Sequence, residues 1–255
     1  MKSFTMKALA VAVLGLAGAG SALAACPQIV ATSATPGGGG AWSSQTVTSA
    51  TVGNAATGLN GTSCAPSIAI NAGAAANAKG LFTDQSPQNE TSYRARFYVN
   101  TTGLTGLTAA NRVFRVFSAL ATGQPATAGA GAEEVIAFIG GGATPFVRFF
   151  VGDTASPGSY KIISAVFPNT AGNYRIEFAL DSTAGTFRYW ISDAAAATAD
   201  ATPTGSTTVT QTGWTGVKQI NLGLFGTSTN YRSGVAGQAL IVDEFDSRRQ
   251  TFIGQ

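Results

Sequence analysis

The sequence predicts an all-β fold in which two antiparallel sheets pack together as a β-sandwich. Three observations support this prediction. Short segments alternate apolar and polar side chains, as strands with one buried face do. Gly, Asn and Asp residues separate these segments at the intervals that are typical of sandwiches and barrels. No amphipathic helix of more than two turns is convincing.

The clearest alternation occurs in residues 93–99, 174–180 and 186–191, where apolar and aromatic side chains take every second position. The last two segments flank a turn-forming stretch at residues 181–185, so we predict that they form a hairpin. Further strands are predicted at residues 43–52 (pairing at a sheet edge), 112–119, 134–139, 146–152, 160–167, 218–226 and 238–246.

The composition fits an extracellular β protein. Charged residues make up 11% of the chain and hydrophobic residues 45%, whereas a typical globular domain has about 25% charged residues. The hydrophobic content argues against an intrinsically disordered chain. Because the sequence contains no histidine, Ser-His-Asp triads, Cys-His dyads and imidazole-bound metals are excluded.

The first 24 residues have the features of an export signal. Lys2 and Lys7 give a positively charged start, an apolar run covers residues 8–18, and residues 22–24 fit an A-x-A cleavage site. The apolar run of about 11 residues is shorter than the roughly 20 that a membrane-spanning helix needs. We expect cleavage after residue 24 and a mature protein in the periplasm or outside the cell.

Removal of this segment changes the charge of the protein. Without Lys2 and Lys7, 13 basic residues remain against 12 acidic ones, which gives a net charge of +1 instead of +3. Nucleic-acid binding proteins usually carry a basic stripe, and none is visible here. We therefore predict no nucleic-acid partner, and no later apolar run predicts a transmembrane segment.

Two interpretations of the two cysteines remain open. An even number of cysteines in an oxidising compartment favours a Cys26–Cys64 disulfide. It would join a flexible N-terminal arm, residues 25–40, to a single domain over residues 41–255. Alternatively, residues 23–26 resemble a bacterial lipobox, in which Cys26 would be acylated and would anchor the protein to a membrane. In that case Cys64 would be left unpaired.

Three stretches also carry a resemblance to a known class of proteins. They are YRARFY (residues 93–98, preceded by Ser86, Pro87 and Glu90), RIEFALD with the strand that follows it (residues 175–190), and ALIVDEFDSRR (residues 239–249). These stretches are similar to a group of exported bacterial proteins of the laminin G-like, or concanavalin A-like, class. The resemblance implies a concanavalin A-like jelly roll, whose commonest use is recognition of carbohydrates or protein surfaces. It implies no particular activity.

The polar positions of the three clearest strands define a candidate binding face. Its members are Arg94, Arg96, Tyr98, Arg175, Glu177, Arg188 and Trp190. If these strands share a sheet, the face combines aromatic rings with planar charged groups, and such mixtures commonly hold sugars. After the signal the chain has 10 Arg and 3 Lys, which favours fork-shaped hydrogen bonding. The alternative is an exposed sheet face stabilised by cross-strand pairs. Trp42 and Trp214 are expected in the core or over an edge.

The sequence gives little support for catalysis. Retaining hydrolases of this fold carry E-x-D-x-x-E or E-x-D-x-E signatures, which are absent here, and lyases with a His-Tyr pair are excluded by the missing histidine. Glu133 and Glu134 are adjacent and would point to opposite faces of a strand. Glu244 and Asp246 would share a strand face at roughly 6–7 Å. Residues 248–249 are both Arg and would neutralise them.

Calcium is the cofactor that the resemblance leaves open. Laminin G-like modules often hold Ca²⁺ through loop carboxylates and carbonyls, and the ion takes six to eight oxygens. Asp153, Asp181 and Asp193 lie at predicted strand ends, but they are isolated from one another in the sequence. We expect these residues to cap turns, and we predict no cofactor.

The leading hypothesis is an exported, non-catalytic β-sandwich that binds a glycan or a cell-surface polymer. One alternative is a structural or adhesive envelope protein that acts through protein contacts. Another is a carbohydrate-active enzyme whose site the sequence does not reveal.

Overall fold

A computed structural model describes most of the chain between residues 42 and 248. The described residues are 42–55, 58–59, 62, 64–85, 87–109, 111–128, 132–141, 144–168, 172–194 and 202–248. The predicted export signal (residues 1–24), the predicted arm (residues 25–40) and Cys26 lie outside them. Cys64 immediately precedes a strand, and its pairing with Cys26 stays a prediction.

The described residues form fourteen strands, one short α-helix and three 3-10 turns. In chain order the strands and the helix are β1 (Ser44–Thr48), β2 (Ala50–Ala55), β3 (Ala65–Ile70), β4 (Lys79–Asp84), β5 (Ser92–Asn100), β6 (Val113–Ala121), β7 (Glu133–Gly140), β8 (Phe146–Gly152), β9 (Tyr160–Val166), β10 (Asn173–Asp181), β11 (Thr186–Asp193), β12 (Gly205–Thr208), β13 (Val217–Phe225), α1 (Thr229–Gly234) and β14 (Ala239–Arg248). The 3-10 turns are Thr105–Thr108, Ala126–Ala128 and Pro157–Ser159. None of the described helices is long and apolar enough to span a membrane.

The strands form two antiparallel sheets of seven strands each. The back sheet has the order β1-β4-β13-β6-β7-β8-β9, and the front sheet has the order β12-β11-β10-β5-β14-β3-β2. This arrangement confirms the predicted all-β fold and is consistent with a jelly roll. It also confirms the predicted hairpin, because β10 and β11 are paired from Tyr174 opposite Asp193 to Asp181 opposite Thr186.

The two sheets enclose one large apolar core. The inward positions of β5 and β10 are fully or almost fully buried, as their alternation predicts. Phe117 of the back sheet lies between Phe97 and Phe178 of the front sheet, with ring centroids 5.5 and 5.1 Å apart. Trp42 is half-buried against the core ring Phe82. Trp214 is buried in a small satellite cluster, so both tryptophans lie where the sequence places them.

The predicted edge strand at residues 43–52 is in fact two strands, β1 and β2. Ser49 separates them with a φ of 46°, and the chain crosses there from the edge of the back sheet to the edge of the front sheet. The edges on the other side of the sandwich are β9 and β12. There the Lys161 ammonium group donates a hydrogen bond of 2.8 Å to the carbonyl oxygen of Thr208.

Candidate functional site

The structure brings all seven residues of the candidate face onto the outward side of the front sheet. Strands β5, β10 and β11 are neighbours, and residues that are directly paired across strands point to the same side. The face consists of three rungs, each given from β5 through β10 to β11: Arg94, Ala179 and Arg188; Arg96, Glu177 and Trp190; Tyr98, Arg175 and Ser192.

The Arg94 guanidinium is held between a carboxylate and an aromatic ring. Its Nε atom lies 3.7 Å from Oε1 of Glu177, whose side chain is completely buried. Its Cζ atom lies 4.6 Å from the centroid of the Trp190 ring, which is within the range of a cation–π interaction. Burial lowers the pKa of Arg94, Glu177 raises it, and the nearby Arg188 lowers it. Arg94 is therefore fixed in position beside a second positive charge.

A second cluster occupies the middle of the face. The Arg96 guanidinium lies 4.0 Å from the Glu244 carboxylate and 5.4 Å from the centroid of the Tyr98 ring. Arg175 is hydrogen-bonded to the Tyr98 hydroxyl. Burial raises the pKa of Tyr98 more than Arg96 and Arg175 lower it. Burial thus keeps the hydroxyl of Tyr98 in its neutral form, whereas the Nε and Nη1 atoms of Arg175 are buried without a hydrogen-bond partner among the described residues.

The middle of the face is buried, whereas the sequence analysis considered an open surface. Tyr98 and Glu177 are 0% exposed, Arg175 is 2% exposed and Trp190 is 4% exposed. Tyr98 packs in a small apolar cluster formed with Leu59, Ala194 and Ile241. The charged and aromatic side chains also cover one another, because the Arg94 guanidinium lies over the Trp190 ring and the Arg96 guanidinium lies over the Tyr98 ring. Only Arg188 is exposed, so an incoming molecule reaches the face from the rung that contains Arg188.

A depression of about 190 Å³ lies at that end of the face. It is lined by the Arg94–Ala179–Arg188 rung, by the next rung beyond it, which consists of Ser92, Asp181 and Thr186, and by the turn that joins β10 to β11. The full set of lining residues is Ser92, Tyr93, Arg94, Ala179, Leu180, Asp181, Ala184, Thr186 and Arg188. Ala179 lies directly between Arg94 and Arg188 across the sheet. Its methyl side chain leaves space between the two longer side chains.

The acidic cluster of β14 does not have the spacing that a regular strand predicts. The pairing register shifts between Asp243, opposite Tyr98, and Asp246, opposite Arg96. Glu244 lies within this bulge with a φ of 45°, in the left-handed region that costs energy for a residue with a side chain. The cation beside Glu244 is Arg96; the side chains of residues 248–249 lie outside the described part of the chain.

Asp153 and Asp181, two of the three aspartates considered for calcium, accept hydrogen bonds from the loops around them. Asp153 accepts hydrogen bonds from the Ser156 hydroxyl at 2.6 Å and from the Thr210 amide at 2.8 Å. Burial raises the pKa of Asp153, but these hydrogen bonds outweigh that effect and lower it. Asp181 accepts from two amides of the following turn, at 3.0 and 2.8 Å. Within the described ranges, no three acidic or cysteine side chains are close enough together to hold a metal ion.

We expect calcium to leave the melting temperature of the protein unchanged. The Asp153 and Asp181 oxygens already accept N–H and O–H donors, whereas Ca²⁺ needs six to eight free oxygens. The measurement is thermal unfolding in millimolar calcium and in excess chelator. A higher melting temperature in calcium that chelator reverses would contradict this expectation.

Glu134 is a buried carboxyl group that the sequence analysis set aside. It points inward from β7 and is 0% exposed, unlike its neighbour Glu133 on the outward side. Its Oε1 atom accepts a hydrogen bond of 3.0 Å from the Ser182 hydroxyl, in the turn between β10 and β11. Its Oε2 atom is buried without a hydrogen-bond partner among the described residues. Burial raises the pKa of Glu134 to about 7, and the Ser182 hydrogen bond only partly opposes this.

Comparison with known proteins identifies relatives in fold. No protein-family model matches the sequence, and no curated protein is significantly similar to it. Among solved structures, an endo-beta-1,4-glucuronan lyase from the fungus Trichoderma reesei is similar at a TM-score of 0.55 and 13% identity, over 82% of this chain and 92% of the lyase. The carbohydrate esterase vb_24B_21 from the Shiga toxin-encoding bacteriophage phi24B is similar at a TM-score of 0.52 and 13% identity, over 82% of this chain and 90% of the esterase. At this identity the likeness is one of fold, and the fold is that of a β-sandwich found in carbohydrate-active proteins.

Proposed function

We propose that this protein is an exported glycan-binding module that uses the outward face of its front sheet. The observation that carries this proposal is the depression at the Arg94–Ala179–Arg188 rung, next to a ring and two guanidinium groups. Sugars hydrogen-bond through their hydroxyls to planar charged groups, and the buried Trp190 ring supports the Arg94 guanidinium that would make such a bond. The similarity of the fold to a glucuronan lyase and a carbohydrate esterase supports a glycan as the ligand.

Binding without cleavage fits the chemistry of the face better than catalysis does. A catalytic acid or base has to reach the substrate with an accessible group. Tyr98 and Glu177 are completely buried, and they interact with Arg175 and Arg94 respectively. The exposed end of the face offers Arg188, whose guanidinium donates hydrogen bonds and accepts none.

The test is a thermal-shift screen of the protein with neutral and acidic polysaccharides, together with an assay for chain cleavage. A ligand that binds only the folded state stabilises it, by about 2.7 kcal/mol at a hundredfold excess over Kd. We expect at least one polymer to raise the melting temperature by several degrees without release of new chain ends. No shift with any polymer would contradict glycan binding. Release of new chain ends would show that the protein cleaves the polymer and is an enzyme, which would contradict a non-catalytic binding module.

A further inference from the structure

The depression beside Ala179 has the features of a subsite for a negatively charged group. We propose that it binds one carboxylate or sulfate of an acidic glycan between Arg94 and Arg188. This inference rests on the proposed glycan binding and adds the class of ligand. Carboxylate and sulfate share the chemistry that matters here, which is a set of oxygens that accept paired N–H donors.

The sheet itself creates the space for such a group. Neighbouring strands lie about 4.8 Å apart, so the backbones of Arg94 and Arg188 are about 10 Å apart with Ala179 between them. A longer side chain at position 179 would fill this space. The depression measures about 190 Å³, below the roughly 300 Å³ at which pockets for complete ligands begin. It therefore accommodates a single sugar unit, and the rest of the polymer would lie across the surface.

The charges around the depression favour an anion. No carboxylate of the described residues forms an ion pair with Arg188, since the pairs are Arg94–Glu177, Arg96–Glu244 and Arg115–Glu133. The carboxylate that lines the depression, Asp181, already accepts two amides of its turn. An anion between the two guanidinium groups would relieve their mutual repulsion.

The first of these guanidinium groups is pre-organised for binding. Arg94 is fixed by Glu177 at 3.7 Å and by the Trp190 ring at 4.6 Å, so it loses little conformational entropy when a ligand arrives. Ser92 and Thr186, which flank Asp181 across the sheet, also line the depression beside the two charged groups.

The experiment compares polymers that differ only in charge. Polygalacturonate is paired with its fully methyl-esterified form, and dextran sulfate is paired with dextran; binding is measured by calorimetry at physiological salt. We expect the charged member of at least one pair to bind about tenfold or more tightly than its neutral partner. Preference within the first pair assigns a carboxylate, and preference within the second assigns a sulfate.

Three variants show whether the charged polymer uses this depression. Ala179→Leu fills the space and leaves every charge in place, and Arg188→Gln removes the exposed guanidinium. Both are expected to weaken binding of the charged polymer about tenfold. Arg148→Gln is the matched control, because Arg148 is also exposed but lies on the outward side of the back sheet. We expect it to bind as the unmodified protein does.

The outcomes separate this inference from the proposed function. Equal binding of charged and neutral members would overturn the anion subsite and leave glycan binding in place. Undiminished binding by a folded Ala179→Leu variant, or equal loss in Arg148→Gln, would show diffuse charge attraction and also overturn it. Failure of every polymer to bind would contradict the proposed function itself.

Discussion

Replacement of Glu134 by Gln is expected to make the free energy of unfolding less dependent on pH. In the unmodified protein this free energy falls as the pH rises, because Glu134 loses its proton. The pKa of Glu134 is about 7 in the folded protein and 4.5 for the free group, so the folded state binds more protons between these values. The stability from this group is fully present below pH 4.5 and is lost as the pH rises through 7. From pH 5 to pH 8 the loss amounts to about 2–3 kcal/mol, since a tenfold change in proton affinity is worth about 1.4 kcal/mol.

Urea unfolding at pH 5 and pH 8 measures this effect. The free energy of unfolding of the unmodified protein should fall between these pH values by about 2–3 kcal/mol more than that of Glu134→Gln. Glu133→Gln is the control, because Glu133 lies on the outward side of the same strand and pairs with Arg115. This variant leaves the buried Glu134 carboxyl in place, so the fall in stability that Glu134 causes should persist in it. Equal pH dependence in Glu134→Gln would mean that this carboxyl titrates as it does in water.

The second large effect is expected at Glu177. Glu177→Gln keeps the size of the side chain but removes the buried carboxylate that pairs with Arg94. Breaking a buried ion pair by removing one partner costs about 3–5 kcal/mol. For a chain of this size, such a loss lowers the melting temperature by roughly 6–20 °C.

A comparison with Glu133 shows which property of an ion pair matters more, distance or burial. The Arg115–Glu133 pair is closer, at 2.8 Å, but its side chains are 31% and 20% exposed, whereas the Glu177 side chain is 0% exposed at 3.7 Å. Partly exposed pairs contribute about 0–1 kcal/mol, so Glu133→Gln should cost much less than Glu177→Gln in urea unfolding at pH 7. Equal costs would contradict the importance of burial.

Alternation in the sequence was sufficient to predict most strands of the fold. Strands β5, β10 and β11 each have one apolar face, and that pattern also predicted which side chains share the outward face. Strands β3, β4 and β12 were not predicted, because runs of only six, six and four residues are too short to show a clear alternation. The crossing at Ser49 was not predicted because it depends on a single backbone angle that the alternation of neighbouring residues does not reveal.

The candidate site was predictable in its residues but not in its openness. Because successive side chains of a strand alternate between its two faces, the sequence placed Arg94, Glu177 and Arg188 on one side, and the same rule would have placed Ala179 among them. Which of them face one another depends on register, and register decides that Arg94 covers Trp190 and encloses Glu177. The bulge at Glu244 shifts the register of β14 against β5 in a way that a regular pattern of residues does not indicate.

The edges of the sandwich bear on how this protein behaves at high concentration. An exposed edge strand offers unpaired backbone groups to the edge of a second molecule, and such pairing leads to aggregation. Here β1 and β2 belong to one continuous segment that turns at Ser49, so an approaching strand meets a bend instead of a long straight edge. On the other side β12 has four residues, and Lys161 of β9 donates to one of its carbonyl oxygens. Short strands and an edge lysine are features by which β proteins avoid joining one another, and here they occur in a chain of which only 11% of the residues are charged.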